Sequence, residues 1–317
     1  MKKSNFNVLH KPVLLKELLN FLPKEKNNIF VDCTFGDGGH TRALLEKNKT
    51  CKVYAIDRDP SVLGNVDFLL KKFKKRFVFI LGKISNLEKI LNEENLKNKV
   101  DGIFFDLGVS TRQLKDSSRG FSFQKNGPLD MRMGKEGMTA EYFLNNENEK
   151  NISDIIFKYG QEKSSRRIAK ELIKFRKKKI IKNTLELVKI INYAKKIKKK
   201  SKINPATKTF QAIRIYINDE INELKVGLKS AMNILKKNGR IAVISFHSIE
   251  DKIVKNFFNI NSGKTYNNSR YLPQLTPNNN IRKKLRIITK KVIKPMKNEI
   301  ELNYYSRSAK LRVAEKI

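Results

Sequence analysis

Four short apolar runs, each separated from the next by a single helix-length segment, constrain the first third of the chain more than any other feature. Ile29–Thr34 reads as a strand, the segment after Gly39 as a helix, and Lys52–Asp57 as a second strand. Ser61–Phe73 fits a helix, Phe77–Leu81 a third strand, Leu87–Leu96 a helix and Ile103–Leu107 a fourth strand. Strands alternating with single helices of this length build βαβ units and hence a parallel sheet. The runs are almost continuously apolar, as strands covered by helices on both faces must be. Ahead of them, Pro12 at a first helical position and Leu14, Leu15, Leu18 and Leu19 predict a short opening helix.

The alternation then stops. Between Thr111 and Asn204 Gly/Ser-rich turns give way to helical patterns over Ile152–Tyr159, closed by Gly160, over Arg166–Lys178, and over Leu185–Lys199 with Thr184 as its cap. It resumes with a helical stripe of Ile221, Leu224, Leu228, Ala231 and Leu235 closed by Gly239, then a fifth strand over Arg240–Phe246. Asn259–Asn280 reads as a polar loop, and Leu285–Lys290 with Lys310–Glu315 as a final strand pair. The expected fold is a doubly wound α/β domain of about seven strands, interrupted by a helical insertion.

Composition removes several classes. A chain of 317 residues with 39% hydrophobic content buries a sizeable core and is not wholly disordered. No apolar run reaches the roughly 18 residues of a membrane span, and Lys16 and Glu17 break the only leader-like stretch, so a cytoplasmic protein is expected. Cys33 and Cys51 are the only cysteines, which excludes a disulfide scaffold and a Cys-x-x-Cys metal site. The net charge of +37 favours polyanionic partners, above all nucleic acid. Lys, Asn and Ile all have AT-rich codons, so coding bias is an equal explanation of the total. Its distribution is more telling: 17 Lys/Arg face 3 acids between Gly160 and Lys202.

Ligands of such sheets bind beyond the carboxyl ends of the strands, where strand order reverses. The first strand runs into Asp32-Cys33-Thr34-Phe35-Gly36-Asp37-Gly38-Gly39-His40, and Asp57 closes the second strand 21 positions beyond Gly36. Glycines let the backbone approach a ligand closely, and an acid at that distance accepts hydrogen bonds from ribose hydroxyls. The Gly-x-Gly-Gly spacing lacks the third glycine of the dinucleotide fingerprint. A loop bordered by Asp32, Asp37 and Asp57 suits a cationic, phosphate-free nucleoside, S-adenosylmethionine, better than a pyrophosphate. Asp37 also reads as a plain helix cap. Asp106 ends the fourth strand, positioned for a substrate nucleophile or the cofactor's amino groups. After the fifth strand, Ser248 and Asp251 have capping-box spacing, while His247 stands open between a site role and a structural one.

These segments together resemble one family, the bacterial small-subunit ribosomal RNA methyltransferase H family, also called MraW. The resemblance runs from His10 to about Val313. It is carried by His10–Leu14, Val31–His40, Ala55–Pro60, Asp106–Ser110, Arg119–Phe123, Gly127–Met133, Pro205–Thr207 with Thr209–Arg214, and Ser245–Asp251. It implies an α/β fold, a Rossmann-like seven-stranded methyltransferase sheet with an inserted all-α subdomain. Residues 1–110 and 205–317 would form the methyltransferase domain and 111–204 an RNA-binding insertion. The implied activity is S-adenosylmethionine-dependent methylation of the exocyclic N4 of a cytidine in the decoding region of 16S rRNA, within the small ribosomal subunit. A homodimer is compatible with it and a membrane is not. Implied cofactor contacts are Gly38, Gly39, His40, Asp57, Ile84, Asp106 and Gln113. Ile84 replaces the family's usual aromatic, and Thr111 and Lys115 depart from its usual Ser and Asp beside Gln113.

Asp106 and His247 are the catalytic candidates. Phe123 and Phe246 are candidates for stacking on the base, and Arg166 and Arg167 for gripping phosphates. Methylation at cytosine C5 needs a thiolate nucleophile, and neither cysteine stands at a substrate-side strand end, which favours attack by nitrogen. Two other classes share part of this pattern. A nicotinamide oxidoreductase would show the third glycine; a non-catalytic ribosome-assembly factor would explain the charge but not the glycine loop with Asp57 and Asp106.

Overall fold

The structure is a computed structural model describing residues 12–196, 204–264 and 283–317. His10 and Lys11, the last lysines of the basic run, and most of the polar loop after Asn259 lie outside the described residues. Among the described residues seven strands form one sheet: β1 Ile29–Asp32, β2 Lys52–Asp57, β3 Phe77–Leu81, β4 Val100–Asp106, β5 Leu235–Ser245, β6 Leu285–Ile287 and β7 Lys310–Lys316. Their order is β3-β2-β1-β4-β5-β7-β6. The first five are parallel, and β7 enters antiparallel between β5 and β6. The order reverses between β1 and β4, so the carboxyl ends of these neighbours, Asp32 and Asp106, frame the crevice where such sheets bind ligands.

Side-chain alternation divides the apolar residues between the two faces. Tyr54, Ile56, Ile103, Phe105, Ile241 and Val243 belong to one buried cluster, with Leu224, Leu228 and Phe258 from helices. Val53, Ala55, Phe104, Ala242 and Ile244 belong to the other, with Leu18, Leu45 and Leu69. Both sets are apolar because helices cover both faces. The helices of this unit are α1 Leu15–Phe21, α2 Gly39–Lys47, α3 Leu63–Phe73 and α4 Leu87–Glu93 before the insertion.

The chain divides into two compact units, residues 1–108 with 222–317, and residues 109–221. The second holds α5 Thr111–Lys115, α6 Ala140–Asn146, α7 Glu149–Gly160, α8 Ser165–Arg176, α9 Thr184–Lys195 and α10 Thr207–Ile217. Helix α11, Glu220–Ile234, leads back into the sheet unit, which also contains α12 Ser248–Asn261 and α13 Lys297–Leu302. The sequence reading returns to the sheet domain at residue 205. Instead Phe210 and Ile213 of α10 are buried with Ile152, Ile156, Ile168 and Leu187, so α10 belongs to the helical unit. Its apolar face fits either packing, and only contacts choose between them.

Several element ends differ from expectation for local reasons. Helix α1 starts at Leu15 after Leu14 at φ 51, so Pro12 stands outside it. Asn183, not Thr184, caps α9 by accepting a hydrogen bond from Glu186 N–H. The Thr184 hydroxyl donates instead to the Lys125 carbonyl at 2.6 Å. Helix α11 ends at Ile234 and β5 begins there, with a register shift opposite Val100–Gly102. Helix α12 runs on to Asn261, into the expected loop. The Arg119–Phe123 and Gly127–Met133 segments fasten to each other: Arg119 Nη2 donates to the Arg132 and Met133 carbonyls, both at 2.8 Å, and Met131 N–H to the Arg119 carbonyl at 3.0 Å.

Candidate active site

The turn leaving β1 closes on itself through its acids. Asp32 is 1% exposed; its Oδ1 accepts from Thr34 N–H at 3.1 Å and its Oδ2 from the Thr41 hydroxyl at 2.7 Å. Asp57, at the end of β2, accepts from Gly36 N–H at 2.7 Å and Asp59 N–H at 2.9 Å. The turn thus hangs from the neighbouring strand, and Gly36 and Gly38 take φ 53 and 75, a region L side chains rarely adopt. A Cβ on Gly38 would also stand 2.6 Å from the Phe35 ring, and one on Gly39 would overlap Pro12.

His40 lies in the first turn of α2. Its Nε2–H donates to the Val13 carbonyl at 2.9 Å, which fixes the tautomer and leaves the Nδ1 lone pair facing Asp106 Oδ2 at 3.6 Å. Asp106 N–H donates to Thr34 Oγ1 at 2.6 Å, tying β4 to the β1 turn. The Asp106 Oδ1 atom is buried without a hydrogen-bond partner among the described residues.

Burial sets the protonation of this cluster. It pushes Asp32 up to about 7 and Asp57 up to about 6, against an ordinary 3.8. It lifts Asp106 well above the ordinary range, with the charges of Asp32 and Glu250 adding to the effect. No Lys or Arg pairs with any of the three among the described residues. Three burdened carboxyls, one with a buried oxygen unpartnered among the described residues, form a set of acceptors fitted to a ligand that brings a positive charge and hydroxyl or amino hydrogens. S-adenosylmethionine fits that requirement; a pyrophosphate, with its own negative charge, does not.

The other expected residues fall into different settings. Ile84 opens a short turn after β3 and packs against Gly227 of α11, which commits its side chain to the core. His247 rather than Ser248 caps α12: its Nδ1 accepts from Glu250 N–H at 3.4 Å, and Glu250 Oε2 accepts from Phe246 N–H at 2.8 Å. His247 Nε2 stands 3.0 Å from Glu250 Oε1. Asp251 meanwhile pairs with Arg312 at 2.7 Å and Lys310 at 3.2 Å across to β7. Half-buried Phe246 flanks Gly108 at the same strand ends.

Gln113, Phe123, Arg166 and Arg167 lie in the helical unit. Gln113 closes a capping box on α5, its Oε1 accepting from Ser110 N–H at 3.0 Å and its own N–H donating to the Ser110 hydroxyl at 3.2 Å. Phe123 meets Phe210 edge-on at a centroid distance of 5.8 Å. Arg166 and Arg167 are exposed on α8, opposite the buried Ile168, Ala169 and Leu172.

Sequence reasoning missed Thr34, Thr41, the Val13 carbonyl and Glu250. Thr41 lies one residue after His40, close enough to be found by asking what satisfies a buried Asp32. Glu250 carries no such local signal.

Comparison with known proteins agrees along the whole chain: residues 7–317 match the MraW methylase family. The chain belongs to that family. Among curated relatives, "Ribosomal RNA small subunit methyltransferase H" of Rickettsia bellii (strain OSU 85-389) is 48% identical over 311 residues, covering 97% of this chain and 99% of the relative. The protein of the same name from Rickettsia prowazekii (strain Madrid E) is 47% identical, covering 97% and 98%. A crystal structure titled as an rRNA methylase from Streptococcus thermophilus aligns over 96% of this chain and 93% of that one, at 13% identity and a TM-score of 0.38. As an MraW methylase the chain uses S-adenosylmethionine as methyl donor. No helix among the described residues is long and apolar enough to cross a membrane.

Proposed function

We propose that this methylase acts on 16S rRNA in the cytoplasm, transferring a methyl group to the exocyclic N4 of a cytidine in the decoding region of the small ribosomal subunit. Support for an RNA substrate comes from the names of the relatives and from the basic face of α8. Support for nitrogen as the acceptor comes from the site. Cys33 and Cys51 are both buried, and burial raises the Cys33 thiol well above its usual range, so no thiolate is available for attack on the cytosine ring.

When bound, S-adenosylmethionine supplies an electrophilic methyl on a sulfonium. The chain's part is to orient the amine and take its proton. The N4 lone pair of cytosine is delocalised into the ring, so it attacks well only when the amine is drawn toward tetrahedral geometry. Asp106 Oδ1, buried and without a partner among the described residues, accepts an N4–H hydrogen bond in this reading, and that unsatisfied oxygen is the observation that carries it. Positive charge beside Asp106 favours its ionised form, so as the N–C bond forms and the methyl–sulfur bond breaks the amine proton would pass to that carboxylate, with His40 Nδ1 3.6 Å from its other oxygen as the next acceptor. His247 acts as a positioning residue, holding through Glu250 the backbone that presents Phe246.

The test is methyl incorporation into small-subunit RNA, with mass-spectrometric search for N4-methylcytidine, by the wild type and Asp106→Asn. Asn keeps the size but cannot take a proton, so a loss on the order of a hundredfold or more is expected with the fold retained. Incorporation at cytosine C5, or an Asn variant of near-normal rate, would refute the assignment.

A further inference from the structure

Among the described residues, large apolar side chains that are well exposed are scattered over the sheet unit except in one stretch. Met296, Leu302, Tyr304 and Tyr305 are 60%, 79%, 61% and 55% exposed within ten consecutive residues. The surroundings are basic: Lys290, Lys291, Lys294, Lys297 and Arg307 are exposed here, against Glu299 and Glu301. Glu299 is already engaged, accepting a hydrogen bond from Leu14 N–H at 2.7 Å.

The stretch is held in a defined shape. Ser306 is fully buried and its hydroxyl donates to the Asn303 carbonyl at 2.7 Å, while Asn303 Oδ1 accepts from Tyr305 N–H at 3.2 Å. Between the two anchors the tyrosines project outward. The Arg307 guanidinium lies over the Tyr304 ring, 4.1 Å from its centroid, and Nη1 donates to the Tyr304 carbonyl at 3.2 Å. Topology sets its location. Because β7 is antiparallel, its first residue Lys310 pairs with Ser245, the last residue of β5. The tyrosines therefore stand just before β7 at the carboxyl end of the sheet, the end that carries Asp32, Asp57 and Asp106.

We propose that Tyr304 and Tyr305, with Arg307, form a stacking platform for unpaired nucleotides of the RNA substrate beside the target base. The proposal rests on the RNA reading of the preceding section. Every base offers a π-face to an aromatic ring, an arginine on such a ring adds cation–π attraction, and nearby lysines meet the phosphates. An apolar protein partner would be served by the rings but not by the surrounding surplus of cations.

The experiment compares full-length wild type, the Tyr304→Ala/Tyr305→Ala pair and the Tyr304→Phe/Tyr305→Phe pair. Fluorescence anisotropy follows binding of a labelled single-stranded RNA and of the same RNA annealed to its complement. The Ala pair should bind the single strand on the order of tenfold more weakly, with the duplex and S-adenosylhomocysteine bound as before. The Phe pair, which keeps both rings, should stay within about twofold of wild type. The salt slope should not change, since no phosphate contact is removed. Wild-type affinity in the Ala pair, equal loss on both RNAs, or equal loss in the Phe pair would each overturn the platform. Normal RNA binding with lost binding to purified small subunits would overturn it in favour of a protein partner. A wild type that binds neither RNA defeats the RNA reading itself, a result distinct from failure of the platform alone.

Discussion

Asp32→Asn should stabilise the protein, and do so only as pH rises. In the folded chain burial pushes the Asp32 carboxyl up to about 7 from an ordinary 3.8. Between those values the folded state holds a proton that the unfolded chain has lost, so raising the pH draws protons off the folded form and weakens it. The sign is opposite to that of a salt-bridged aspartate. The gap is 3.2, and at about 1.36 kcal/mol per pH unit it amounts to about 4 kcal/mol. Part of that belongs to the neighbouring Asp57 charge, and the positive field of the whole chain opposes it, so about 4 kcal/mol is an upper bound. Asn cannot ionise, and its amide still reaches Thr34 N–H and the Thr41 hydroxyl. The stability of the variant relative to wild type should therefore be level below about pH 4, rise through the interval, and level off above about pH 7. Urea unfolding followed by circular dichroism at a series of pH values measures that difference directly. A difference flat to within about 0.5 kcal/mol across the interval would show that Asp32 carries no raised pKa. The same variant should bind S-adenosylmethionine less well at neutral pH, because the costly carboxylate is what favours a cation in the turn.

Gly38→Ala combines a φ of 75 with a Cβ 2.6 Å from the Phe35 ring, so it should lower stability by about 2–4 kcal/mol; an unchanged melting temperature would refute the strained-turn argument. Cys33→Ala together with Cys51→Ala should leave methyl transfer within a few-fold of wild type, and near-total loss would point to covalent chemistry. Reversing Arg166, Arg167 and Lys170 to Glu should weaken RNA binding and flatten its salt slope while leaving cofactor affinity alone. An unchanged RNA affinity would assign this face of α8 to solvent.

The strand-end acids could be located in the sequence because each terminates an apolar run. Asp32, Asp57 and Asp106 follow Val31, Ile56 and Phe105, and a parallel sheet places such ends together. Caps were harder to assign. Thr184 and Ser248 are good capping types, yet Asn183, an equally good one, and His247, which is not, took the positions once Thr184 was needed by the Lys125 carbonyl and Glu250 by the Phe246 amide. Helix α10 shows the same ambiguity on a larger scale, since its apolar face reads alike whether it packs on a sheet or on α7.

Local periodicity and glycine placement, then, were enough for the sequence to specify a sheet with helices on both faces, a helical insertion and an acid-bordered turn. These depend on the order of neighbouring residues, which the chain carries in one dimension. That His40 would spend one nitrogen on the Val13 carbonyl and turn the other toward Asp106, and that the tyrosines before β7 would stand at the same sheet end, was decided only by folding. Protonation belongs with these: a carboxyl's charge depends on the water and charges that packing leaves around it, and the groups that supply them range from Thr34 beside Asp32 to Glu250, far along the chain from Asp106.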